Sequence, residues 1–487
     1  MKKYYIKTFG CEMNKADSEK VNMILLQSGM MKTSDWKNAD LVIYNTCSVR
    51  QKGEDRVFGM SEEIKKENER RKEIGDSRYI LTGITGCMVR KTGVNSQYIQ
   101  TENKRKKAKV IEYIKSQDGI FNNDDKLFPR LPSLDFTFRI EEVKYLPFIL
   151  THIYGEKIGS DDKFDDYLKS KQLRENPASA SVIIQTGCDN YCTFCIVPYT
   201  RGREISRPHN EIVDEVRELV LTGTKEISLV GQNVNSYGKQ SNKKLWNEEK
   251  STWNEGVGKS PFGELLADLD TIPGLERIRF TSSNPHDMTA DILDSHFDLS
   301  STCNYLHFAL QSGDNTMLKK MNRRHTYEDF KKMVDFLRSK DPLFSISTDI
   351  IVGYSGETEE MFQNTIKAFR ECEFDFSFTA RYSVRKGTIA SKVLPDDIPE
   401  SVKAERWHIL NDILLENVTK RNKLMLGRVE SIMISGKKDG YFFGRTRNFK
   451  EVYFKDETDT CKIGDFVDVK ITELDRYVLK GELKKTA

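Results

Sequence analysis

Short apolar runs alternate with amphipathic helical patterns over the first part of the chain. The segment DSEKVNMILLQSGM (17–30) has helical spacing, and Asp17 or Ser18 is predicted as its N-cap residue. Strands that alternate with helices favour an open α/β domain on a parallel sheet. Three runs have the length and the β-branched content of buried strands: KKYYIKTF (2–9), DLVIYNT (40–46) and RYILTGITG (78–86).

The middle of the chain repeats a strand and helix unit. Successive units of this kind, without a closing pair, predict a partial (β/α)6 barrel with its functional residues at the carboxyl ends of the strands. The segment 239–261, polar and poor in aliphatic residues, is predicted to be a long loop on that face. The predicted strands are SVIIQT (181–186), EISLVG (226–231), RIRFTS (277–282), LHFALQ (306–311), SISTDIIVG (345–353) and DFSFTARYS (375–383).

The last part of the chain has a different pattern, with short strands in place of repeated strand and helix units. A helical stretch at 405–425 is followed by the short strands RVESIMI, YFFGRTR, KEVYF, DFVDVKIT and YVLKGEL, and closely spaced short strands predict a small β-barrel. The fold class is therefore α/β, with an open α/β domain, a partial barrel and a small β-barrel. The predicted domain boundaries are 1–150, a linker at 151–178, 179–405, a connecting helix at 406–423, and 424–487.

Charge is informative only locally. Lys and Arg number 77 and Asp and Glu 74, so the net charge of +3 neither demands nor excludes a polyanionic partner. Residues 420–450, however, hold nine Lys or Arg against two acidic residues, interleaved with aromatic residues. This pattern suits RNA binding through Arg428, Arg445 and Arg447. The alternative is a solvated strand face over a packed aromatic core. The run 103–109 and the acidic segment 161–167 are predicted to be solvated faces or linker.

The cysteine content indicates metal ligands. The chain has no apolar stretch of roughly 18 residues, the length needed to span a bilayer, and its start lacks the apolar run of a signal peptide. A cytoplasmic protein that does not associate with membranes is therefore expected. In that compartment the nine cysteines are better explained as including metal ligands than as a disulfide framework.

Three of these cysteines follow the three predicted strands of the first domain. Cys11 lies in FGCEMN, Cys47 in NTCSVR and Cys87 in TGCMVR. Ligands bind at the carboxyl ends of the strands in open α/β sheets, so these thiols are expected to converge. The alternative is that they are buried, inert thiols.

Three further cysteines, Cys188, Cys192 and Cys195, form a CxxxCxxC pattern after the first strand of the partial barrel. A structural zinc site or an electron-transfer cluster is normally closed by four protein ligands. Three thiolates on a [4Fe-4S] cluster would leave one iron open, and that iron could chelate the amino and carboxylate groups of S-adenosylmethionine. Zinc is the alternative and would need a fourth ligand. The remaining cysteines are interpreted as structural: Cys303, Cys372 and Cys461.

These motifs resemble the radical S-adenosylmethionine (radical SAM) methylthiotransferase family. GCEMNKADSE, NTCSVR and TGCMVR are similar to its amino-terminal domain, and CDNYCTFCIVPYTRGREISRP, LQSGDNTMLKKMNRRHT and IVGYSGET to its radical domain. GRTRNFKEVYF and GDFVDVKITELDRYVLKGEL resemble its TRAM domain. VGQNVNSYG and TRGREISRP resemble most the tRNA branch called MiaB, which attaches a methylthio group to C2 of N6-isopentenyladenosine at position 37.

The resemblance implies a second [4Fe-4S] cluster on Cys11, Cys47 and Cys87, which would hold the sulfur to be delivered. It implies two molecules of S-adenosylmethionine, tRNA bound at the anticodon loop around A37, an electron donor of the flavodoxin or ferredoxin type, and a source of sulfide. Sister branches act on N6-threonylcarbamoyladenosine or on an aspartate of a ribosomal protein. A different class of function is an iron–sulfur protein that binds RNA or carries electrons without turnover.

Other residues are assigned to the cofactor site more loosely. Each has a structural alternative, such as a strand-end turn. Arg201 and Arg203 follow the cysteine loop and could contact the cofactor or RNA, with salt bridges as the alternative. Residues at the ends of the barrel strands, together with Arg203 after the cysteine loop, are expected near S-adenosylmethionine: Gly231, Gln232, Asn233, Gln311, Ser312, Asp349, Gly353 and Arg203.

Overall fold

The computed structural model describes residues 1–47, 51–89, 127, 130–159, 167–168, 176–239, 246–247, 252–253, 259–457 and 460–484. The predicted basic run 103–109 lies outside these residues, as do most of the acidic segment 161–167 and most of the loop 239–261. The chain packs into two units. The first holds Met1–Arg174, Gly187–Asp189 and Cys195–Arg203, and the second holds Glu175–Thr186, Asn190–Phe194 and Glu204–Ala487.

The first unit contains a parallel sheet, as the alternation of strands and helices predicts. The sheet order is β2-β1-β3-β4-β5, and β3 and β4 are buried along their whole length. The strands are β1 Lys3–Phe9, β2 Met31–Lys32, β3 Leu41–Thr46, β4 Leu81–Gly86 and β5 Phe136–Thr137. The helices are α1 Glu12–Gln27, α2 Gln51–Glu73 and α3 Leu146–Tyr154.

Helix α1 begins earlier than the sequence pattern predicts. Its N-cap residue is Cys11, so the prediction that Asp17 or Ser18 caps the helix is wrong. Asp17 instead lies inside the helix with its side chain fully buried. The segment 161–167 is predicted to be a solvated face or linker, but its last residue, Tyr167, is 3% exposed, and its hydroxyl donates to the Asp17 carboxylate. A buried carboxylate that accepts a tertiary hydrogen bond is not free to cap a helix.

The second unit begins with the partial barrel, which confirms the predicted fold class. Two parallel sheets, β12-β9-β6 and β13-β14-β15, are joined by single bridges between Ile278 and Thr302 and between Ser283 and Phe308. The six strands are β6 Ser179–Ile183, β9 Glu226–Val230, β12 Arg277–Phe280, β13 Tyr305–His307, β14 Ser345–Val352 and β15 Phe376–Arg381.

Short strands and helices complete this part of the second unit. Two short antiparallel pairs form, one from β7 and β8 and one from β10 and β11. These strands are β7 Gln185–Thr186, β8 Ile205–Ser206, β10 Trp246–Asn247 and β11 Thr252–Trp253. The helices, in chain order across both units, are α4 Val197–Thr200, α5 His209–Leu221, α6 Pro261–Asp270, α7 Ala290–Asp298, α8 Asn315–Lys320, α9 Tyr327–Lys340, α10 Glu359–Cys372, α11 Ile389–Val393 and α12 Glu400–Lys423.

The carboxyl-terminal strands close into the predicted small barrel, in the order β16-β17-β18-β20-β19. Its interior is apolar, with Ile432, Phe454 and Leu479 fully buried. The strands are β16 Val429–Lys438, β17 Tyr441–Arg445, β18 Glu451–Lys455, β19 Phe466–Asp475 and β20 Val478–Leu483. The domain boundaries given by the sequence stay a prediction.

Two arginines of β12 hold the small barrel within the second unit. Arg277 and Arg279 are each 2% exposed. Arg279 donates to the backbone oxygens of Thr446 and Arg447, both at 2.8 Å, and Arg277 donates to that of Arg445 at 2.7 Å. Because these carbonyls belong to the end of β17 and the loop that follows it, buried cations of the partial barrel satisfy acceptors of the small barrel.

No helix within the described ranges is both long enough and apolar enough to cross a membrane.

Candidate functional site

The parallel sheet of the first unit brings Cys11, Cys47 and Cys87 to one edge. Phe9 at the end of β1 is in register with Thr46 at the end of β3, which is in register with Gly86 at the end of β4. Each cysteine follows one of these aligned strand ends within two residues. The backbone N–H of Cys87 also donates to the Thr46 oxygen at 2.8 Å. Cys47 and Cys87 are buried, and Cys11 lies at the exposed rim.

A pair of buried asparagines ties the Cys11 turn to the end of β3. The Asn14 side-chain oxygen accepts from the backbone N–H of Cys11 at 3.3 Å and lies 3.4 Å from its Sγ. The Asn14 amide donates to Asn45 Oδ1 at 2.9 Å, and the Asn45 amide donates back to the Asn14 carbonyl at 2.7 Å. This closed network fixes the position of Cys11 relative to Cys47, because both partners are buried and leave little freedom for the turn.

Glycine is required before two of the cysteines. Gly86 has φ +91°, and a Cβ there would lie 2.4 Å from the Thr46 oxygen. Gly187 has φ +80°, and a Cβ there would lie 2.1 Å from the Arg203 oxygen. Any larger residue would push Cys87 or Cys188 away from its place, because both the backbone conformation and the space exclude a side chain.

Arg201 is a charged group in direct contact with this cysteine set. Its Nε donates to Cys87 Sγ at 3.5 Å, and its Nη2 donates to Asp17 Oδ2 at 2.5 Å. Desolvation acts to lower the pKa of Arg201, but Asp17 and Cys87 hold it well above its usual value, so the guanidinium is charged. Although Cys11 lies at the rim of the sheet, the elements packed around it desolvate its thiol and raise its pKa; Cys87 adds to that rise, and Asn14 and Arg201 oppose it. Cys11, Cys87 and Arg201 therefore form one electrostatic group.

The CxxxCxxC loop starts at β7 and returns at β8. In the first unit, the Cys188 N–H donates to the Gly202 oxygen at 3.3 Å, and Cys195 precedes helix α4. In the second unit, the buried Cys192 accepts a hydrogen bond from Arg323 Nη1 at 3.5 Å. Cys188 and Cys195 are partly exposed. The hydrogen bond from Arg323 fixes the position of the Cys192 sulfur and places a positive charge beside it.

The His, Cys, Asp and Glu side chains of the described residues contain no set of three that is close enough to hold a single metal ion. The thiolates of a [4Fe-4S] cluster bind separate iron atoms and stand further apart than the ligands of one ion. Three cysteines at one sheet edge with a cationic donor on one sulfur are a donor set that suits such a cluster.

Two of the predicted cofactor residues have a buried side-chain oxygen without a hydrogen-bond partner among the described residues. The oxygens are Oδ1 of Asn233, which is 2% exposed, and Oε1 of Gln311, which is 8% exposed. Gln311 also has φ +73°, a strained conformation for a side chain of its size. Asn233 is anchored by its amide, which donates to Asp287 Oδ2 at 2.7 Å.

The other predicted cofactor residues are engaged within the fold. The Ser312 hydroxyl accepts from the N–H of Asp314 at 3.2 Å, and Asp349 Oδ2 lies 3.1 Å from His307 Nε2. The Gly353 N–H donates to a glutamate carboxylate at 2.6 Å. The end of β9 is followed by Gly231 and Gln232. Arg203 is exposed, and its guanidinium pairs with the Asp189 carboxylate at 2.9 Å.

Sequence reasoning missed three residues at the site. Asp287 is a buried carboxylate between Asn233 and Lys239, and Arg323 bonds to Cys192. Burial and the adjacent Arg323 lower the pKa of His325 to about 3, so its ring is neutral. The run of three basic residues directly before the cap of α9, Arg323 to His325, was a signal for Arg323 and His325. The sequence holds none for Asp287.

The three arginines predicted to bind RNA have different environments. Arg428 is exposed, and Arg445 is partly exposed with its guanidinium 4.0 Å from the centre of the Phe449 ring. Arg447 instead donates to the backbone oxygens of Ser300 and Thr302, both at 2.8 Å. The structure therefore leaves Arg428 and Arg445 accessible, whereas Arg447 joins the small barrel to the partial barrel.

Further cations lie over aromatic rings on the small barrel. Lys455 Nζ is 5.0 Å from the centre of the Tyr441 ring, and Lys437 Nζ is 4.6 Å from that of Phe442. Both lysines are exposed, but the Phe442 ring is buried in the barrel core. The partly exposed Tyr441 ring beside Lys455 is the pair typical of surfaces that bind single-stranded nucleic acid.

Family models match the chain in three places. The Radical SAM superfamily matches residues 182–369, the Uncharacterized protein family UPF0004 matches residues 3–110, and the TRAM domain matches residues 423–484. The first match contains the CxxxCxxC loop, the second contains Cys11, Cys47 and Cys87, and the third contains the small barrel.

Curated relatives are similar over nearly the whole chain. A tRNA-2-methylthio-N(6)-dimethylallyladenosine synthase of Clostridium botulinum (strain Okra / Type B1) is 36% identical over 486 residues, which cover 98% of this chain and 96% of the relative. A protein of the same name from Caldicellulosiruptor saccharolyticus is 37% identical, with 99% and 92% covered. Another, from Protochlamydia amoebophila, is 36% identical, with 99% and 97% covered.

Among solved structures, the radical S-adenosylmethionine methyltransferase TsrM from Kitasatospora setae aligns with a TM-score of 0.47 and 13% sequence identity, and 78% of this chain and 73% of TsrM are covered.

Proposed function

Because the chain belongs to the family of tRNA-2-methylthio-N(6)-dimethylallyladenosine synthases, we propose that it transfers a methylthio group to C2 of N6-isopentenyladenosine at position 37 of tRNA. Isopentenyl and dimethylallyl name the same substituent. The observation that carries the proposal is the register of β1, β3 and β4, which brings Cys11, Cys47 and Cys87 to one edge in addition to the CxxxCxxC loop. One protein with two sets of three thiols fits a reaction that needs two clusters, each with one iron that has no protein ligand.

The family implies two [4Fe-4S] clusters and S-adenosylmethionine. When bound, they would supply the reducing electron, the radical that removes hydrogen from C2, and the sulfur and methyl group that replace it. Cys188, Cys192 and Cys195 would hold one cluster, and Cys11, Cys47 and Cys87 the other. Their sulfurs suit this role, because one in each set accepts a hydrogen bond from an arginine.

The residues around each set would fix its orientation. Arg323 holds Cys192 and also donates to the backbone oxygen of Ala309 at 2.7 Å, so the cysteine loop is tied to the region after β13. The buried side-chain oxygens of Asn233 and Gln311 would accept hydrogen bonds from the amino groups of S-adenosylmethionine. Both lie just beyond strands of the partial barrel, at the end where ligands bind in this architecture.

The small barrel would bind the tRNA, and one base of the anticodon loop would enter the enzyme pocket. Arg428 and Arg445 would neutralise phosphates, and the partly exposed ring of Tyr441, beside Lys455, would stack on an unpaired base. An adenosine in an anticodon loop is already single-stranded, so moving it into an enzyme pocket requires little unpairing energy.

The reaction also requires partners that supply electrons and sulfur. We propose an electron donor of the flavodoxin or ferredoxin type, because cleavage of the sulfonium needs one electron at a low potential. A sulfide source must restore the sulfur site after each turnover. Both partners and the tRNA substrate are consistent with action in the cytoplasm.

The experiment compares three forms of one tRNA that carry adenosine, N6-isopentenyladenosine or N6-threonylcarbamoyladenosine at position 37. Each is incubated anaerobically with the reconstituted full-length protein, S-adenosylmethionine and a reductant, and the nucleosides are analysed by mass spectrometry. An apolar isopentenyl group and a charged carboxylate demand opposite pockets, since an unpaired buried carboxylate is unfavourable. We expect fast conversion of the isopentenyl form, slow conversion of adenosine, and none of the threonylcarbamoyl form.

Other outcomes would change the assignment. A product from the threonylcarbamoyl form alone would move the protein to a sister branch. Cluster loading without cleavage of S-adenosylmethionine would favour an iron–sulfur protein that binds RNA or carries electrons.

A further inference from the structure

Arg201 lies on the segment that follows Cys195, yet its side chain contacts the other cysteine set. Both groups belong to the first packing unit. We propose that Arg201 is a positioning residue for the cluster bound by Cys11, Cys47 and Cys87, and that its hydrogen bond to the Cys87 sulfur raises the reduction potential of that cluster. This inference rests on the proposed function only in assuming that the cluster binds there.

The contact geometry supports a specific role for the guanidinium. Arg201 is 5% exposed, and its Nε lies 3.5 Å from Cys87 Sγ, within range of a hydrogen bond to sulfur. Hydrogen bonds and positive charge near the sulfurs stabilise the reduced, more negative form of an iron–sulfur cluster. A lysine could not keep both contacts, because only the planar guanidinium presents several donors in a fixed fork.

A buried chain of hydrogen bonds holds the guanidinium in place. Asp17 accepts from Arg201 Nη2 at 2.5 Å and from the Tyr167 hydroxyl. Lys20 in turn donates to the Tyr167 backbone oxygen at 2.5 Å. Asp17 and Lys20 both lie on α1, the helix capped by Cys11. Helix α1, which begins after Cys11, therefore also orients Arg201, which donates to Cys87.

The arrangement differs from a simple structural salt bridge. Removing two charges from water opposes folding, so a buried ion pair is weak grounds for assuming a stabilising role. Asp17 accepts only from Nη2 of the guanidinium. Nε donates to Cys87, and Nη1 has no partner in the described part of the chain. A guanidinium that is fully charged, buried and only partly paired is suited to stabilising negative charge that arrives with a ligand.

The structural alternative is that Arg201 only anchors its segment to α1. An anchor would affect folding stability and leave the electronic properties of the cluster unchanged. A donor to the cluster would change the midpoint potential in protein that is still folded. Potential and stability can be measured separately on the same sample.

The test is a redox titration of the reconstituted full-length protein, followed by electron paramagnetic resonance. The signal that persists in the C188A/C192A/C195A variant identifies the cluster of the other set. The variants are Arg201→Gln, which removes the charge, and Arg201→Lys, which keeps it. The matched control is Arg78→Gln, because Arg78 also pairs with an aspartate in the first unit, but on the surface at 66% exposure. Iron content and thermal unfolding are measured for each protein.

We expect Arg201→Gln to retain both clusters and to shift the midpoint potential of the identified signal to a more negative value. Arg201→Lys should give a smaller shift in the same direction, and Arg78→Gln none. An unchanged potential in folded, iron-loaded Arg201→Gln would overturn the proposal. If Arg201→Gln does not fold, an unchanged potential in folded Arg201→Lys would overturn it.

The titration contains no tRNA, so it does not depend on the substrate assignment. A parent protein that binds no cluster at Cys11, Cys47 and Cys87 would overturn the proposed function as well. A parent that binds both clusters and a variant with an unchanged potential would overturn only the role of Arg201.

Discussion

The guanidinium of Arg279 donates a hydrogen bond to the backbone oxygen of Arg447 at 2.8 Å, so a buried strand of the partial barrel is joined to a loop of the small barrel. The same guanidinium pairs with Glu226 at 3.0 Å. Removing the small barrel would therefore leave a buried cation without two of its acceptors. Truncation before β16 would test stability and RNA binding at the same time.

Replacement of Arg279 tests this junction directly. Arg279→Met keeps most of the side-chain volume and removes the guanidinium that donates to Glu226 and to the backbone oxygens of Thr446 and Arg447. Loss of one partner of a buried ion pair destabilises by about 3–5 kcal/mol, so we expect a clearly lower midpoint of thermal unfolding. The matched control is Arg217→Met, because Arg217 is 58% exposed and pairs with Asp214 on the surface. A change there should stay within about 0.5 kcal/mol. Equal midpoints for the two variants would contradict a structural role for Arg279.

The strands and their cysteines could be predicted from the sequence because both are local patterns. Cys11, Cys47 and Cys87 each follow an apolar run, and parallel strands in register place such positions together. Asp17 could not be assigned in this way. Its residue type and position favoured a helix cap, but its partners are Arg201 and Tyr167, which lie far along the chain. Tertiary pairing overrode the local preference.

The charged residues of β12 show the same limit. Arg277 and Arg279 alternate with apolar residues, and this pattern predicts a strand with one solvated face. Both arginines are instead buried under the small barrel. Period-two spacing identifies the face of a strand but not what covers that face, so neither the junction nor the structural position of Arg447 could be predicted.

RNA binding should depend on the accessible arginines of the small barrel. Arg428→Ala and Arg445→Ala should each weaken tRNA binding and reduce the slope of log affinity against log salt by about 1, because each removes a phosphate contact. Arg447→Ala should change the slope less and lower thermal stability, because its guanidinium holds the carbonyls of Ser300 and Thr302. The measurement is a filter-binding or anisotropy titration at several salt concentrations. A slope that drops only in Arg447→Ala would reverse these roles.

Iron content should report two independent sites. Anaerobically reconstituted protein is expected to hold two [4Fe-4S] clusters, each with three cysteine ligands. Replacing Cys188, Cys192 and Cys195 with alanine should halve the iron bound per chain, and replacing Cys11, Cys47 and Cys87 should do the same. Cys461→Ala is the matched control, because Cys461 lies at the small barrel and is assigned to neither set. Iron equal to that of the parent in either triple variant would show that the set is not a ligand set.

The two cysteine sets should also separate into two functions. The variant without Cys11, Cys47 and Cys87 keeps the CxxxCxxC loop, in which Arg323 still contacts Cys192. With a strong reductant it should therefore still cleave S-adenosylmethionine to 5′-deoxyadenosine.

That variant should nevertheless make no methylthio product, since it has lost the thiols proposed to hold the donated sulfur. Chromatography of the 5′-deoxyadenosine and mass spectrometry of the tRNA nucleosides measure both outcomes in one reaction, and Cys461→Ala should match the parent in both. A methylthio product at the parental rate would remove the sulfur-delivery role from the first set. Loss of 5′-deoxyadenosine formation as well, in protein that retains half of its iron, would mean that the two sets act as one site and not as two.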